Sequence, residues 1–488
     1  MASHHPFPHL STWDLSTPLW SSPPILMECS TKQCKRSREL TEGGGADGAP
    51  AAAQDSPPRK LKWEEVRSLY AHSIWNCDSN YVTEKGNGGG GGCGGGDDGG
   101  ADDGTMLVQQ LIACAEAVAC RDHCHAATLL TGLYTSVPVH GAPFQRVASC
   151  FVRGLADRLL LAQAPGNGAC TGAAPRGVAL GSPATALAPD EREEGLRLAY
   201  ELCPYIQFGH MVANAAIMEA FEGKSNVHVV DLGMSLGLLP AAHQWRQLLQ
   251  GLAIRPGVPP RRVRITGVGG GDKDPIIAVG RELEEHAEGL GLRLEFAAVD
   301  GSMENLTPER FAVAEGEVLA VNSIFHLHRV VKESRGALNT ALRAVHGLRP
   351  KVLVLVEQDA GHNGPFFLGR FMEALHYYAA VFDALDTMLP RYDTRRARVE
   401  QFHFGEEIRN IVSCEGPARV ERHERLDQWR RRMSRAGFQQ APLRMVEQAR
   451  RWLVETGACD GYTAAEEKGC LVLGWKGKPL VAASSWKC

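Results

Sequence analysis

The fold of this chain is decided by the stretch Val227-His228-Val229-Val230-Asp231-Leu232-Gly233-Met234-Ser235-Leu236-Gly237. Its first residues are apolar and mostly β-branched, which is typical of a buried parallel strand. A carboxylate and two glycines follow, and they predict a tight turn in which Asp231 accepts hydrogen bonds from the turn's own amides. An amphipathic helix over 241–253 should come next, because apolar residues recur there at helical spacing: Trp245, Leu248, Leu249 and Leu252.

Further strands and helices alternate downstream of this unit. Apolar strands are predicted at 262–268, 292–299, 318–325 and 351–357, with helices at 274–290 and 366–385. Such alternation indicates a doubly wound α/β sheet that is covered by helices on both faces. A ligand of such a sheet would bind beyond the carboxyl end of the first strand.

The chain ends in a different pattern. Two short strands, 470–475 and 480–486, are separated by Lys476-Gly477-Lys478-Pro479, which predicts an antiparallel hairpin at one edge of the sheet. Strict alternation in the last strand would place Leu480 and Trp486 on the same face. We expect the Trp486 indole to pack against a covering helix.

Residues 105–221 are predicted to form an N-terminal helical cap on the α/β core of residues 222–488. Apolar residues in the cap recur at alternating steps of four and three, which predicts helices with a coiled-coil-like seam. The seam consists of Leu107, Leu111, Cys114, Val118, Leu129, Leu133, Val137, Phe151, Leu155 and Leu159. Two interpretations stay open, since this seam can pack within one chain or form the interface of a homo- or heterodimer.

Residues 1–104 have the composition of a disordered region. A glycine and aspartate tract from Gly86 to Gly104 buries too little apolar surface to offset the entropy of ordering. Two small basic clusters, Lys32 to Arg38 and Arg59 to Lys62, are compatible with nuclear import. The region therefore predicts a flexible arm, and its basic clusters leave nuclear import open.

Composition excludes several classes of protein. The formal net charge of -4 disfavours tight binding of nucleic acid by the whole chain, although 15 arginines against 9 acidic residues between Arg391 and Arg451 leave a local phosphate contact open. The 14 cysteines are scattered without a hydrophobic leader, which indicates reduced thiols. The sequence contains no run of about 18 uncharged apolar residues, so no membrane span is predicted.

Several histidines and cysteines are of residue types that can bind a metal ion or take part in catalysis. The segment Cys120-Arg121-Asp122-His123-Cys124-His125 contains metal-ligand residue types, but His125 would point away from the helix face shared by Cys120 and Cys124, and no second cluster completes a tetrahedral site. His228 and His243 flank the first turn, and we interpret them as hydrogen-bonded structural residues. No metal site is therefore predicted.

The turn Asp231-x-Gly233-x-Ser235-x-Gly237 resembles that of S-adenosylmethionine-dependent methyltransferases. The terminal hairpin is also similar to the last two strands of that fold. The cofactor-binding residues under this interpretation would be Asp231, Gly233, Gly237 and Asp272, the last following the second strand. No acceptor-site signature accompanies them, so a methyltransferase is the alternative to a protein without catalytic residues or cofactor.

A more specific resemblance rests on five ordered landmarks. They are Val227 to Asp231, Val356 to Pro365 with Leu375 to Asp383, Gly405 to Gly416, Arg419 to Glu424, and Ser484-Ser485-Trp486. These resemble, in order, the VHIID signature, the PFYRE block with its two continuations, and the SAW motif of the GRAS family of plant transcriptional regulators. The resemblance covers residues 106–488.

This resemblance implies a methyltransferase-like α/β core with a helical cap. It also implies a nuclear scaffold that contacts DNA-bound transcription factors and other GRAS proteins through the leucine-rich helices, with mostly indirect contact to DNA. The N-terminal third contains neither a DELLA nor a TVHYNP-like segment. A DELLA-like branch in gibberellin-type signalling and a symbiosis-related branch both stay open.

Overall fold

The computed structural model describes residues 99–138, 140–162, 188–234, 238–270, 274–301, 303–334, 336–390 and 392–488. The expectations for residues 1–98, including both basic clusters, lie outside the described residues. Helix α1 begins at Gly99. None of the described helices is both long and apolar enough to cross a membrane.

The helical cap consists of five helices: α1 (Gly99–Ala119), α2 (His123–Ser136), α3 (Pro143–Ala162), α4 (Pro189–Leu202) and α5 (Pro204–Ala220). The predicted seam residues lie inside this layer, either buried or half-buried. Helix α3 packs against two later helices, α10 (Phe367–Met388) and α12 (Gly405–Ser413). The seam is therefore filled by the same chain, as the intramolecular interpretation required.

The central sheet confirms the doubly wound topology. Its parallel strands are β1 (Asn226–Asp231), β2 (Arg262–Gly269), β3 (Leu294–Asp300), β4 (Val318–Ile324) and β5 (Val352–Gln358). The spatial order is β3-β2-β1-β4-β5. Strand β1 is thus central, and Asp231 lies between Gly267 of β2 and Asn322 of β4.

Helices cover both faces of the sheet, as the alternation predicted. On one face, α5, α10, α6 (Leu238–Ile254) and α7 (Asp274–Gly289) pack with the cap in the larger apolar cluster. On the other face, α9 (Gly336–Gly347) and α13 (Leu426–Arg435) bury a second cluster. Shorter elements connect these helices: 3₁₀ turns at Met303–Asn305, Pro308–Phe311 and Gly416–Ala418, α8 (Leu327–Val330), α11 (Thr394–Val399) and a π turn at Glu400–Phe404.

The C-terminal edge is larger than the predicted hairpin. Strands β8 (Cys470–Trp475) and β9 (Lys478–Lys487) pair antiparallel, and β9 also pairs with β5. The sequence analysis did not identify β7 (Tyr462–Glu467) at the outer edge, the short β6 (Gln439–Ala441) beside the end of β9, or helix α14 (Val446–Glu455). Strand β6 has only three residues, and β7 alternates only over its first three before it ends in two glutamates. Both strands therefore lack the sustained apolar alternation that identifies a half-buried strand.

The last strand corrects one prediction. Leu473 pairs with Val481 and the next residue, Gly474, pairs with Pro479, so a bulge at Leu480 interrupts the alternation. Leu480 packs with Val481 in the larger cluster, whereas Trp486 lies in the cluster on the opposite face. The prediction that Leu480 and Trp486 share a face was wrong. The prediction that Trp486 packs against a covering helix is confirmed, because the indole lies with Trp429 and Met433 of α13.

Candidate functional site

The candidate site is the carboxyl edge of the parallel strands, where β1 ends. Strand β1 has β2 on one side and β4 on the other. The direction in which the chain adds strands reverses at β1, and open α/β sheets bind ligands at the carboxyl edge beside such a reversal. Of the four residues assigned to a cofactor, Asp231 and Gly233 lie here. Gly237 and Asp272 fall outside the described residues.

Asp231 is buried, and its carboxylate accepts three hydrogen bonds. Oδ1 accepts the backbone N–H of Gly233 at 3.1 Å and Nδ2 of Asn322 at 3.4 Å, while Oδ2 accepts the indole N–H of Trp245 at 3.1 Å. Burial raises the pKa of Asp231 to about 6, against the opposing effect of these three donors. The predicted bond to the turn's own amide is present. Both oxygens therefore already hold partners within the chain.

A polar ladder extends from this carboxylate into the cap. Gln244 of α6 lies 3.4 Å from Asn322 and 3.3 Å from Asn214 of α5, in each case through amide nitrogen and oxygen atoms. Asn214 also donates to the backbone oxygen of Gln244 at 3.1 Å. These buried amides fix α5 and α6 relative to the end of β1, because each would be costly without its partner.

His326 covers the glycine of the turn. A Cβ atom at Gly233 would lie 3.2 Å from the Cβ of His326, which is tighter than ordinary contact. The preceding residue, Phe325, has φ 51°, a left-handed conformation that side chains rarely adopt, and it leads the chain back across the turn. Burial lowers the pKa of His326 to about 3, so the ring is neutral.

The described part of this turn does not fit S-adenosylmethionine. The carboxylate expected to face a cofactor is saturated by Gly233, Asn322 and Trp245, and His326 lies on the glycine where a ligand would approach. The two histidines that flank the turn both contact neighbouring side chains. His228 contacts Thr266 Oγ1 at 2.8 Å through Nε2, and the ring of His243 stacks on Tyr200.

A second buried cluster lies at the ends of β4 and β5. His328, in α8, contacts Glu357 Oε2 through Nδ1 at 2.7 Å and Glu421 Oε2 through Nε2 at 2.9 Å. Arg329 donates to the other oxygen of Glu421. The ring of His423 lies 4.1 Å from that of His328, centroid to centroid. Three segments far apart in sequence, around residues 328, 357 and 421–423, therefore meet at one imidazole.

The electrostatics of this cluster favour a charged His328. Burial opposes the charge, but Glu357 and Glu421 outweigh it and raise the pKa of His328 to about 9. Burial likewise opposes the charge of Glu421, yet Arg329, His328 and His423 hold its pKa well below the usual range. Burial and the neighbouring His328 lower the pKa of His423, which leaves that ring neutral. The cluster is thus a carboxylate–imidazolium–carboxylate bridge.

The same residues have the composition of a metal site. Ligand atoms of His328, Glu357 and His423 lie within 4.8 Å of one another. The contacts at 2.7 and 2.9 Å are hydrogen-bond distances, however, whereas metal–ligand bonds of about 2.0 to 2.2 Å would separate two ligands by roughly 3 Å or more. Protons rather than a metal ion therefore bridge these groups in this arrangement.

The sequence patterns did not predict this cluster. Glu357 comes at the end of an apolar run, as Asp231 does, and that shared position was the available signal. His328 and Glu421 carried none, because 93 residues separate them. At the other end of the chain, Cys120 and Cys124 are exposed, and Asp122 caps α2 by accepting the backbone N–H of His125 at 3.1 Å. Within the described ranges, no group of potential metal ligands includes these residues.

Comparison with known proteins agrees with this architecture. The family model of the GRAS domain matches residues 107–487. The chain is 53% identical over 500 residues to the GRAS family protein RAD1 of Lotus japonicus, covering 99% of this chain and 94% of that protein. It is 38% identical over 399 residues to the DELLA protein GAI of Arabidopsis thaliana, covering 79% of this chain and 68% of that protein. The crystal structure of SCL7 from Oryza sativa matches with a TM-score of 0.66 and 30% identity, covering 78% of this chain and 99% of that one.

Fold and site together define a doubly wound α/β protein in which side chains of the chain itself bond to Asp231 at the end of β1. The ordered landmarks and the family match then give the identification. This chain belongs to the GRAS family of plant transcriptional regulators.

Proposed function

We propose that this chain is a nuclear transcriptional co-regulator that works as a scaffold for DNA-bound transcription factors and other GRAS proteins. The observation that carries the proposal lies in the described part of the turn after β1, where Trp245 donates to Asp231 and His326 lies over Gly233. A fold alone does not determine function. A chain that has the strand order of an enzyme, but its own side chains at the binding edge, can act through its surface.

The partner surface belongs on the outside of the cap. Because the leucine-rich seam is buried within the chain, partners can reach only its outward faces. Each of the first three helices exposes one large apolar side chain there: Met106 is 54%, Tyr134 43% and Leu161 60% exposed. Exposed aromatic and aliphatic side chains of this kind act as anchors at protein interfaces.

Replacing these three exposed side chains by serine is expected to remove most partner binding without unfolding the protein. We expect the triple variant Met106→Ser, Tyr134→Ser, Leu161→Ser to lose most nuclear partners in proximity labelling, while its melting temperature stays within about 2 °C, as for surface changes. The matched control is Ile254→Ser with Val454→Ser, two exposed apolar residues outside the cap. Unchanged labelling by the triple variant would contradict the assignment of this surface.

The branch of the family is proposed from relative similarity. Identity to RAD1 of Lotus japonicus exceeds identity to the Arabidopsis DELLA protein, and the RAD1 alignment extends over nearly the whole chain. We therefore place this chain in a RAD1-like rather than a DELLA branch.

A methyltransferase is the second candidate, supported by the sheet order and the glycine turn. Titrating the full chain with S-adenosylmethionine distinguishes a scaffold from a methyltransferase. We expect no binding at about 100 μM ligand, because the carboxylate of Asp231 already accepts three hydrogen bonds within the chain. A dissociation constant below about 100 μM, or roughly −5.5 kcal/mol, would overturn the scaffold proposal in favour of the enzyme.

A further inference from the structure

Three arginines contact one carboxylate, Glu415, between the cap and the segment that follows α12, and a fourth arginine lies beside them. Glu415 Oε1 receives Nη2 of Arg370 at 2.6 Å and Nη2 of Arg158 at 2.9 Å, and its Oε2 lies 3.7 Å from Nε of Arg419. Arg422 is adjacent, with its Nε donating to the backbone oxygen of Arg419 at 2.9 Å. We call these four arginines with Glu415 the arginine pocket.

The arginine pocket carries an excess of positive charge. Arg370, Arg419 and Arg422 are at least 97% buried, and Arg158 is mostly buried. Among the described residues, the carboxylates in ion-pair contact with them are Glu415 and the largely exposed Glu333, which lies 3.4 Å from Arg422. Four guanidinium groups against two carboxylates leave two positive charges uncompensated. Isolated buried charge is strongly unfavourable, so proteins normally place a counterion beside it.

Backbone carbonyls satisfy part of the donor capacity but not all of it. Arg370 donates to the oxygens of Ile411 and Gly364, and Arg419 donates to that of His362. The Nε–H of Arg419 is buried and has no hydrogen-bond acceptor. A buried guanidinium N–H that lies 3.7 Å from Glu415 without bonding to it leaves room in the bonding pattern for a further acceptor.

Electrostatics support the same conclusion. Burial, Arg370 and Arg422 together lower the pKa of Arg419 to about 10, an unusual depression for a guanidinium. The Arg158 guanidinium lies 4.0 Å above the ring of Phe367, so it is held in place before any ligand arrives. The pocket is therefore ordered and short of negative charge.

We propose that the arginine pocket binds a dianionic phosphate monoester and that Glu415 is an internal substitute which the phosphate displaces. The Glu415 side chain is 47% exposed and precedes Gly416, whose φ of 55° marks a turn, so it can leave without unfolding a helix. A dianion in place of Glu415 reduces the charge excess from two to one, whereas a monoanion leaves it unchanged. Phosphate also offers three acceptor oxygens that suit the planar fork of arginine.

Three small-molecule probes identify the form of phosphate that the pocket accepts. They are inorganic phosphate, N-acetyl-O-phosphoserine amide and dimethyl phosphate, each titrated into the full chain by calorimetry at pH 7.5 and constant ionic strength. The phosphoserine derivative is almost wholly dianionic at this pH, because the second pKa of a phosphate monoester is about 6. Free phosphate has a higher second pKa, and the dianion is its major but not its sole form at this pH. We expect both to bind and dimethyl phosphate, a monoanion like a nucleic-acid linkage, not to bind. Tighter binding of the phosphoserine derivative would assign the pocket to a phosphorylated polypeptide, and tighter binding of free phosphate to a small metabolite.

Two variants and one control test the pocket itself. Glu415→Gln removes the internal competitor and is expected to raise phosphate affinity about tenfold, whereas Arg158→Gln should weaken it about tenfold. The control is Glu373→Gln, which breaks an exposed ion pair with Arg425 and should leave phosphate binding unchanged. Phosphate binding no stronger than chloride binding in both the parent and Glu415→Gln would overturn the proposal, as would equal responses to Glu415→Gln and Glu373→Gln.

Discussion

Trp486→Ala is expected to lower the free energy of unfolding by about 3 to 5 kcal/mol, the usual cost of removing a buried tryptophan side chain. The indole is 1% exposed and packs against Trp429, Met433 and Phe438. Its N–H donates to Ser484 Oγ at 2.9 Å. The loss is a large part of the stability of a typical domain, so we expect a poorly soluble or low-melting protein.

Position in the sheet amplifies this effect. Trp486 lies opposite Leu353 of β5 on one side and Gln440 of β6 on the other. Loosening β9 would therefore detach the antiparallel edge from the parallel strands. Loss of transcriptional activity in the variant would follow from misfolding.

Urea denaturation of the parent, Trp486→Ala and Trp486→Phe measures this loss directly. Phenylalanine keeps much of the apolar contact but not the bond to Ser484, so it should fall between the other two. An alanine variant that unfolds at the parent's urea concentration but fails to bind partners would make Trp486 an interface anchor and refute the packing role.

Glu421→Gln is expected to cost a similar amount, about 3 to 5 kcal/mol, because it removes one member of a buried ionic cluster. Glu421 contacts His328 and Arg329 and lies 3.3 Å from Nε2 of His423. A glutamine has the same shape but leaves His328 with a single carboxylate. The charged imidazole would then be buried with too little compensation.

The same cluster predicts how stability depends on pH. The pKa of His328 is raised from 6.5 to about 9 in the folded protein, so the folded state binds this proton more tightly than the unfolded state. Its stabilising contribution is fully present below pH 6.5 and is lost as the pH rises through 9. A shift of this size corresponds to roughly 3 kcal/mol.

Unfolding free energies measured from pH 6 to 10 test both statements. The parent should lose stability mainly between pH 6.5 and 9, and Glu421→Gln should lose less over that interval because its His328 pKa is already lower. Glu447→Gln, which removes an exposed pair with Arg450, is the control and should change stability by at most about 1 kcal/mol. A parallel pH profile for the parent and Glu421→Gln would exclude His328 as the titrating group.

Local sequence patterns predicted the parallel core and identified its family. These signals were sufficient because β1, β4 and β5 are buried on both faces and read as mostly apolar runs. The turn carboxylate Asp231 was identified for the same reason, since its partner Gly233 is two residues away. The landmarks from Val227 to Trp486 are also local patterns, and they placed the chain in the GRAS family before any contact was known.

The remaining features depend on long-range packing. Whether the cap seam packs within one chain depends on α3 meeting α10 and α12, which are more than 200 residues away. The bridge at His328 and the arginine pocket at Glu415 each join segments with no shared local pattern. The bulge at Leu480 moved one side chain to the other face. Periodicity records which side of an element is apolar, but the partner of a buried charge and the register of a strand are set by long-range packing, which no local pattern encodes.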